Sequence, residues 1–203
     1  MALSAQDKIL YVANKLGLST LNQMQGSTGA VYDADVENSG IIFSSASRHQ
    51  NPGFTNITQN EFEVNEALLV ENIAFYFTSS EEGEPTVTNL VDVYGSNAVI
   101  VFDLIIGNKR VMKSTPVFGA GMPNTFASAG IVNQAAGTSF YLPRHQVFLE
   151  GAGVLIPPQV QWSVEYRLFN VVTGAVIPFR DTFEHIGCYL FGTRVLLNFN
   201  TSI

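Results

Sequence analysis

Between Val160 and Leu168 the chain runs Val-Gln-Trp-Ser-Val-Glu-Tyr-Arg-Leu, apolar and polar by turns, directly after Pro157-Pro158. Side chains along a strand alternate between its two faces. The spacing therefore predicts Val160, Trp162, Val164, Tyr166 and Leu168 against a core and Gln161, Ser163, Glu165 and Arg167 toward water. A half-buried strand needs neighbours in a sheet, and the sheet needs a second layer over its apolar face. The sequence supplies candidates for both. Runs rich in Val, Ile, Phe and Tyr, bounded by turn residues, predict strands at residues 40–44, 61–64, 68–78, 86–94, 98–106, 110–113, 139–142, 146–149, 154–156, 159–172, 175–179 and 187–199. The run Glu81-Glu82-Gly83-Glu84-Pro85 reads as a solvated turn, and Thr173-Gly174 as the link of a hairpin.

About eight main strands with few helices predict an all-β chain built as two packed antiparallel sheets or a closed barrel, because open edges invite aggregation. A jelly-roll sandwich is the expected form at 203 residues, with one domain as the default. Ahead of it, Ser4 makes a good N-cap with Asp7 three residues on, and Ile9, Val12, Ala13 and Leu16 recur at helical spacing until Gly17. This short amphipathic helix is about three turns, too short to stand alone. Its apolar stripe must pack on its own sandwich, on a neighbouring copy or on a membrane surface. Residues 18–38, with Gly26, Ser27, Thr28 and Gly29, read as an irregular arm with room for a second helical turn. The division is thus a helix and arm over 1–39 and the sandwich over 40–203. The stretch 116–137, rich in glycine and small residues, is expected to be a long loop that contacts partners.

Charged residues make up 13% of the chain, against roughly 25% in a typical soluble domain. Sixteen Asn, seventeen Gly and many Ser and Thr take their place, a mixture suited to surfaces that meet other subunits or sugars. The net charge of −7 is unevenly distributed. Residues 33–92 hold eleven acids against the single base Arg48, while residues 103–203 hold five acids against seven bases. Copies could attract head to tail if the fold keeps these halves apart. Apart from Lys109-Arg110 and nearby Lys113 there is no basic cluster, so strong direct nucleic-acid binding is not expected. The lone Cys188, flanked by Ile186, Tyr189 and Leu190, excludes an intrachain disulfide framework and reads as a buried thiol. The N-terminus lacks the pattern of a secretion signal and no apolar run reaches about 18 residues, so synthesis in a cytoplasm is the expectation.

Chemistry-bearing motifs are sparse. His49, His145 and His185 are scattered, without metal-ligand spacing to one another or to Cys188. There is no Gly-x-Ser-x-Gly elbow, and Cys188 has no basic neighbour to activate it. Gly119-Ala120-Gly121 and Gly151-Ala152-Gly153 lack the following Lys-Ser or Lys-Thr of a phosphate loop and read as turns. Asp103 and Glu165 are the two strand carboxylates that a glycosidase would pair, although solvent-facing positions account for both. No catalytic, cofactor-binding or metal-ligating residue is assigned, no cofactor is implied, and the chain is not expected to be an enzyme.

Two segments carry a family resemblance. Leu68 to Thr78 followed by Val99 to Ile106 and the turn Gly107-Asn108-Lys109-Arg110 resemble the paired central strands of single jelly-roll capsid proteins of icosahedral viruses. Val154 to Leu168, entered through Ile156-Pro157-Pro158, resembles a late strand of the same proteins, with 187–199 returning beside it. The resemblance spans roughly 61–200 and rests on pattern and order. It implies a virion structural protein that assembles with copies of itself, and with other virion proteins, into an icosahedral shell. The missing basic N-terminal arm departs from the small RNA virus members and points toward a bacteriophage. The alternative is a lectin-like or receptor-binding β-sandwich, with Tyr141, Trp162 and Phe179 stacking on sugars if exposed.

Overall fold

The alternation after Pro157-Pro158 is realised from Trp162 onward: Trp162, Val164, Tyr166 and Leu168 are buried, Gln161 and Arg167 are exposed, and Val160, Ser163 and Glu165 lie between. The computed structural model describes residues 4–18, 24–35, 39–44, 54–81, 84–88, 97–118, 145–149, 153–178 and 184–197. These contain a helix, α1 (Ala5–Leu16), and then β1 (Met24–Asp35), β2 (Ile41–Ile42), β3 (Glu66–Glu81), β4 (Glu84–Thr88), β5 (Ala98–Ile106) and β6 (Lys109–Phe118). After them come β7 (His145–Phe148), β8 (Val154–Ile156), β9 (Trp162–Asn170), β10 (Val176–Ile177) and β11 (Glu184–Leu197). The described residues are all-β apart from α1, in two antiparallel sheets.

Sheet A runs β1-β11-β3, and the far edge of β3 is shared by β8, β7 and β4, which follow one another along it. Sheet B runs β6-β5-β9, with β2 and β10 on the far side of β9. The pairings are nested: β1 with β11, β2 with β9, β3 with β7 and β8, and β5 with β6. Two further ladders, β11 on β3 and β9 on β5, join the halves of this folded-over ribbon.

One core lies between the sheets. Leu68, Val70, Ile73, Phe75, Ile186 and Leu190 of sheet A meet Ile100, Phe102, Leu104, Trp162, Val164 and Leu168 of sheet B. The Phe75 and Phe102 rings lie 5.2 Å apart across it. Each such side chain removed from water contributes about 1.5–3 kcal/mol.

The outer faces differ. Sheet A is covered a second time, by α1 at one end, where Val12 packs on Ala67, Leu69, Val195 and Leu197. Ser4 and Asp7 form the capping box of α1, and the Lys8 ammonium sits 2.6 Å from the Glu71 carboxylate of β3. At the other end Phe54 packs on Ala34 and Tyr76, whose hydroxyl donates to the Phe54 carbonyl at 3.1 Å. Tyr76 can lie across β11 only because its partner there is glycine: a Cβ on Gly187 would come within 1.9 Å of the ring. Sheet B keeps an outer face of Ser163, Glu165 and Arg167.

Several expected elements are present with altered bounds. Strands 98–106 and 154–156 form as expected, 68–78 lengthens to β3, 110–113 to β6, and 159–172 contracts to β9. The hairpin at Thr173-Gly174 joins β9 to β10, with Gly174 in the left-handed region at φ 68. Two expectations fail. Residues 61–64 are not a strand; a turn with Glu66 N–H donating to the Glu63 carbonyl at 3.0 Å replaces it, and Phe62 stacks on Trp162 to close the core. The segment read as an irregular arm contains β1, twelve residues in unbroken register with β11. Its glycines have little intrinsic strand preference, and pairing with β11 overrides that. Of the expected loop 116–137, the first three residues belong to β6 and the remainder lies outside the described residues, as does the expected strand 139–142.

Candidate functional surfaces

At the corner where the chain leaves β1 for β2, two fully buried carboxylates organise the crossing from one sheet to the other. Asp35 Oδ2 accepts from the backbone N–H of Gly40 at 2.7 Å and of Ile41 at 3.2 Å, and from the Tyr166 hydroxyl of β9 at 3.0 Å. Its Oδ1 accepts from Ser39 Oγ at 3.1 Å. Asp33 Oδ2 accepts from Phe43 N–H at 3.1 Å. Asp35, a buried carboxylate surrounded by donors in this way, is a fastening rather than a reactive group. Sequence reading passed over both, although an Asp-x-Asp shortly before Ser39-Gly40 is a legible side-chain-to-backbone turn signal.

Asp103 and Glu165, the two strand carboxylates singled out from sequence, are indeed brought together as direct partners in the β5–β9 ladder. Between them lies Arg110 of β6. One of its guanidinium nitrogens is hydrogen-bonded to Asp103 Oδ2, and the other lies 2.9 Å from Glu165 Oε2. Asp103 also accepts from Ser114 N–H. Asp103 is not solvent-facing as expected; β6 and Arg110 bury it. Both carboxylates are thus engaged by one guanidinium. The arrangement ties β5, β6 and β9 together on the outer face of sheet B. The hairpin turn at Gly107-Asn108 was the available signal, since it returns Arg110 beside β5.

Where the sheets part, a cavity of about 180 Å³ is lined by Val31, Ile57, Phe62 and Trp162, with Glu61, Glu66 and Arg194 among its polar groups. Arg194 Nε lies 2.5 Å from Glu66, so its charge is already satisfied. Trp162 is 2% exposed and stacked on Phe62 at 4.5 Å, which makes it core and not a sugar platform. Tyr141 and Phe179, the other proposed stacking residues, lie outside the described residues.

The remaining candidates are dispersed. His185 is buried on β11 with its ring edge-on to Phe54 at 5.9 Å. His145 opens β7 opposite Phe75, and His49 lies outside the described residues, as do Gly119-Ala120-Gly121, Gly151 and Ala152. Among the described residues no three His, Cys, Asp or Glu side chains converge as a metal site. Cys188 is fully buried, and burial, then the nearby Asp33 charge, pushes its thiol well above the usual range. A thiol so held is protonated at neutral pH and a poor nucleophile. Burial likewise raises Tyr76 and, with Tyr32 beside it, Tyr189.

Apolar surface remains uncovered at the β9–β10 hairpin, where Val171, Val172 and Val176 are 53%, 74% and 62% exposed. No helix among the described residues is long and apolar enough to cross a membrane. No protein-family model, curated protein or solved structure matches the chain.

Proposed function

We propose that this chain is a single jelly-roll shell subunit, a virion structural protein of an icosahedral virus, bacteriophage by preference, that assembles with copies of itself. The observation that carries the reading is the nested pairing of β1 with β11, β2 with β9, β3 with β7 and β8, and β5 with β6. A ribbon of four nested pairs rolled into two facing sheets supports a jelly-roll reading, and viral capsid domains are among the users of that fold. Fold alone does not define a role. Two surface features favour assembly over a solitary domain: charged residues are only 13% of the chain, and the exposed valines of the β9–β10 hairpin form an uncharged projection.

The apolar stripe of α1 is packed on sheet A, so subunit contacts fall to the hairpin, the sheet edges and the loops. Each contact can be weak, because a closed shell multiplies them. In this reading the chain performs no catalysis, holds no cofactor and leaves the genome to other components. It is made in the host cytoplasm and resides in the virion. Electron microscopy of the expressed chain tests this. Shells, rings or regular sheets are expected. Dispersed single particles together with a specific ligand on a glycan array would replace the capsid reading with the lectin-like one.

A further inference from the structure

We infer that residues 24–29 of β1 pair antiparallel with the same segment of a second copy, in a register centred on Gly26, making one sheet across two subunits. This rests on the self-assembly reading and names one of its contacts. Natural sheets protect their edges with short strands, charges, proline or bulges. Among the described residues, three of the four edges do so. On β3 the edge is divided among β4, which contains Pro85, and the short β7 and β8. On β9 it is held by β2 and β10, of two residues each. The β6 edge carries Lys109, Arg110, Lys113 and Pro116. The β1 edge differs: it is twelve residues long, has no register shift against β11, and carries no charge or proline from Met24 to Tyr32.

Half of that edge is already closed. Asn56 donates its backbone N–H to the Tyr32 carbonyl at 3.1 Å, accepts from Tyr32 N–H through Oδ1 at 2.8 Å, and donates from Nδ2 to the Ala30 carbonyl at 2.8 Å. These bonds fix which residues face outward. In an antiparallel pair each residue sends its N–H and C=O to the same side, and successive residues alternate. Since Ala30 and Tyr32 face away from β11 and the register is unbroken, Thr28, Gly26 and Met24 face away as well. Gln25, Gly26, Ser27 and Thr28 are all exposed.

The register follows from Asn56. Centred on Gly26, Met24 of each copy opposes Thr28 of the other and Gly26 opposes itself, giving about six hydrogen bonds. Ala30 stays with Asn56. Centred on Ser27, Met24 would oppose Ala30, whose carbonyl is taken. The two-fold axis also sets both α1 helices on one face of the joined sheet, since Ile9 lies over Gly26.

The test is a cross-link between coexpressed Gln25→Cys and Ser27→Cys chains. In the inferred register these positions form a non-hydrogen-bonded pair with Cα atoms about 4.5 Å apart, within disulfide reach. Cys188 is buried and does not compete. Mild oxidation is expected to give a covalent dimer of one chain of each kind, and none from either variant alone. Thr28→Pro removes an amide that makes no bond inside the subunit, at an edge where proline is tolerated. It is expected to leave the melting of the dissociated subunit unchanged and weaken association by about tenfold or more. Assembled protein without the mixed cross-link overturns the pairing while leaving self-assembly standing, and ready cross-linking by Ser27→Cys alone overturns the register. A wild-type chain that never associates removes both.

Discussion

The two sheets of this sandwich are covered to different depths, and their sequences differ accordingly. Sheet A is buried on both faces over much of its area: the core lies beneath it, and α1 and Phe54 lie above. Its central strand β3 therefore opens with consecutive apolar residues, Ala67, Leu68, Leu69 and Val70, all buried. In sheet B, β5 is likewise largely buried on both faces, whereas β9 keeps one wet face and alternates. Periodicity in this chain is thus a record of how many layers each strand touches. A strand with one wet face advertises its direction, while a doubly covered strand advertises only its burial.

That contrast can be broken or sharpened by experiment. The largest effect is expected from alkali, and from sheet A. Tyr76, Cys188 and Tyr189 all belong to it, and burial raises all three above their ordinary values of 10.0, 9.0 and 10.0. The neutral forms are favoured in the folded chain, so their contribution is complete below pH 9 and lost as pH rises past the unfolded thiol and phenol values. Urea midpoints should be flat up to about pH 9 and fall steadily above it. A midpoint that rose with alkali would contradict the burial of these groups.

Next comes Trp162→Ala, which empties the shared core beside Phe62 and Phe43. A loss of about 3–5 kcal/mol is expected in denaturant titration. Leu69→Ala asks whether the second layer over sheet A is real. Leu69 is fully buried beneath α1, so a loss of about 2–4 kcal/mol is expected, where an outer face open to water would lose almost nothing. Tyr166→Phe removes the hydroxyl that holds Asp35 across the sheets and should cost about 1–2 kcal/mol, read from the shift in thermal midpoint. Smallest is Arg167→Ala on the exposed face of sheet B, expected to stay within about 0.5 kcal/mol of the parent.

Legibility in the sequence followed the same division. The β9 alternation, the β5 and β8 bounds, the capped helix and the buried Cys188 were all readable, because each depends on local period, local capping or local composition. β1 was not, since Gly26, Ser27, Thr28 and Gly29 look like a loop and become a strand only through a partner more than 160 residues away in sequence. Asp33 and Asp35 were hidden for the same reason: their ligands arrive from a loop and from β9. Asp103 and Glu165 are legible as strand carboxylates, but their role depends on Arg110, which arrives from the neighbouring strand. Local rules thus found elements and core. Fastenings, edges and neutralised pairs depend on register, which a single sequence does not display.

Sedimentation velocity of the wild-type chain across a wide concentration range most directly tests whether this two-layered body completes its surface with copies of itself. The expected result is discrete, concentration-dependent species many times the 22.1 kDa of one chain. A single 22.1 kDa species at every concentration would contradict it.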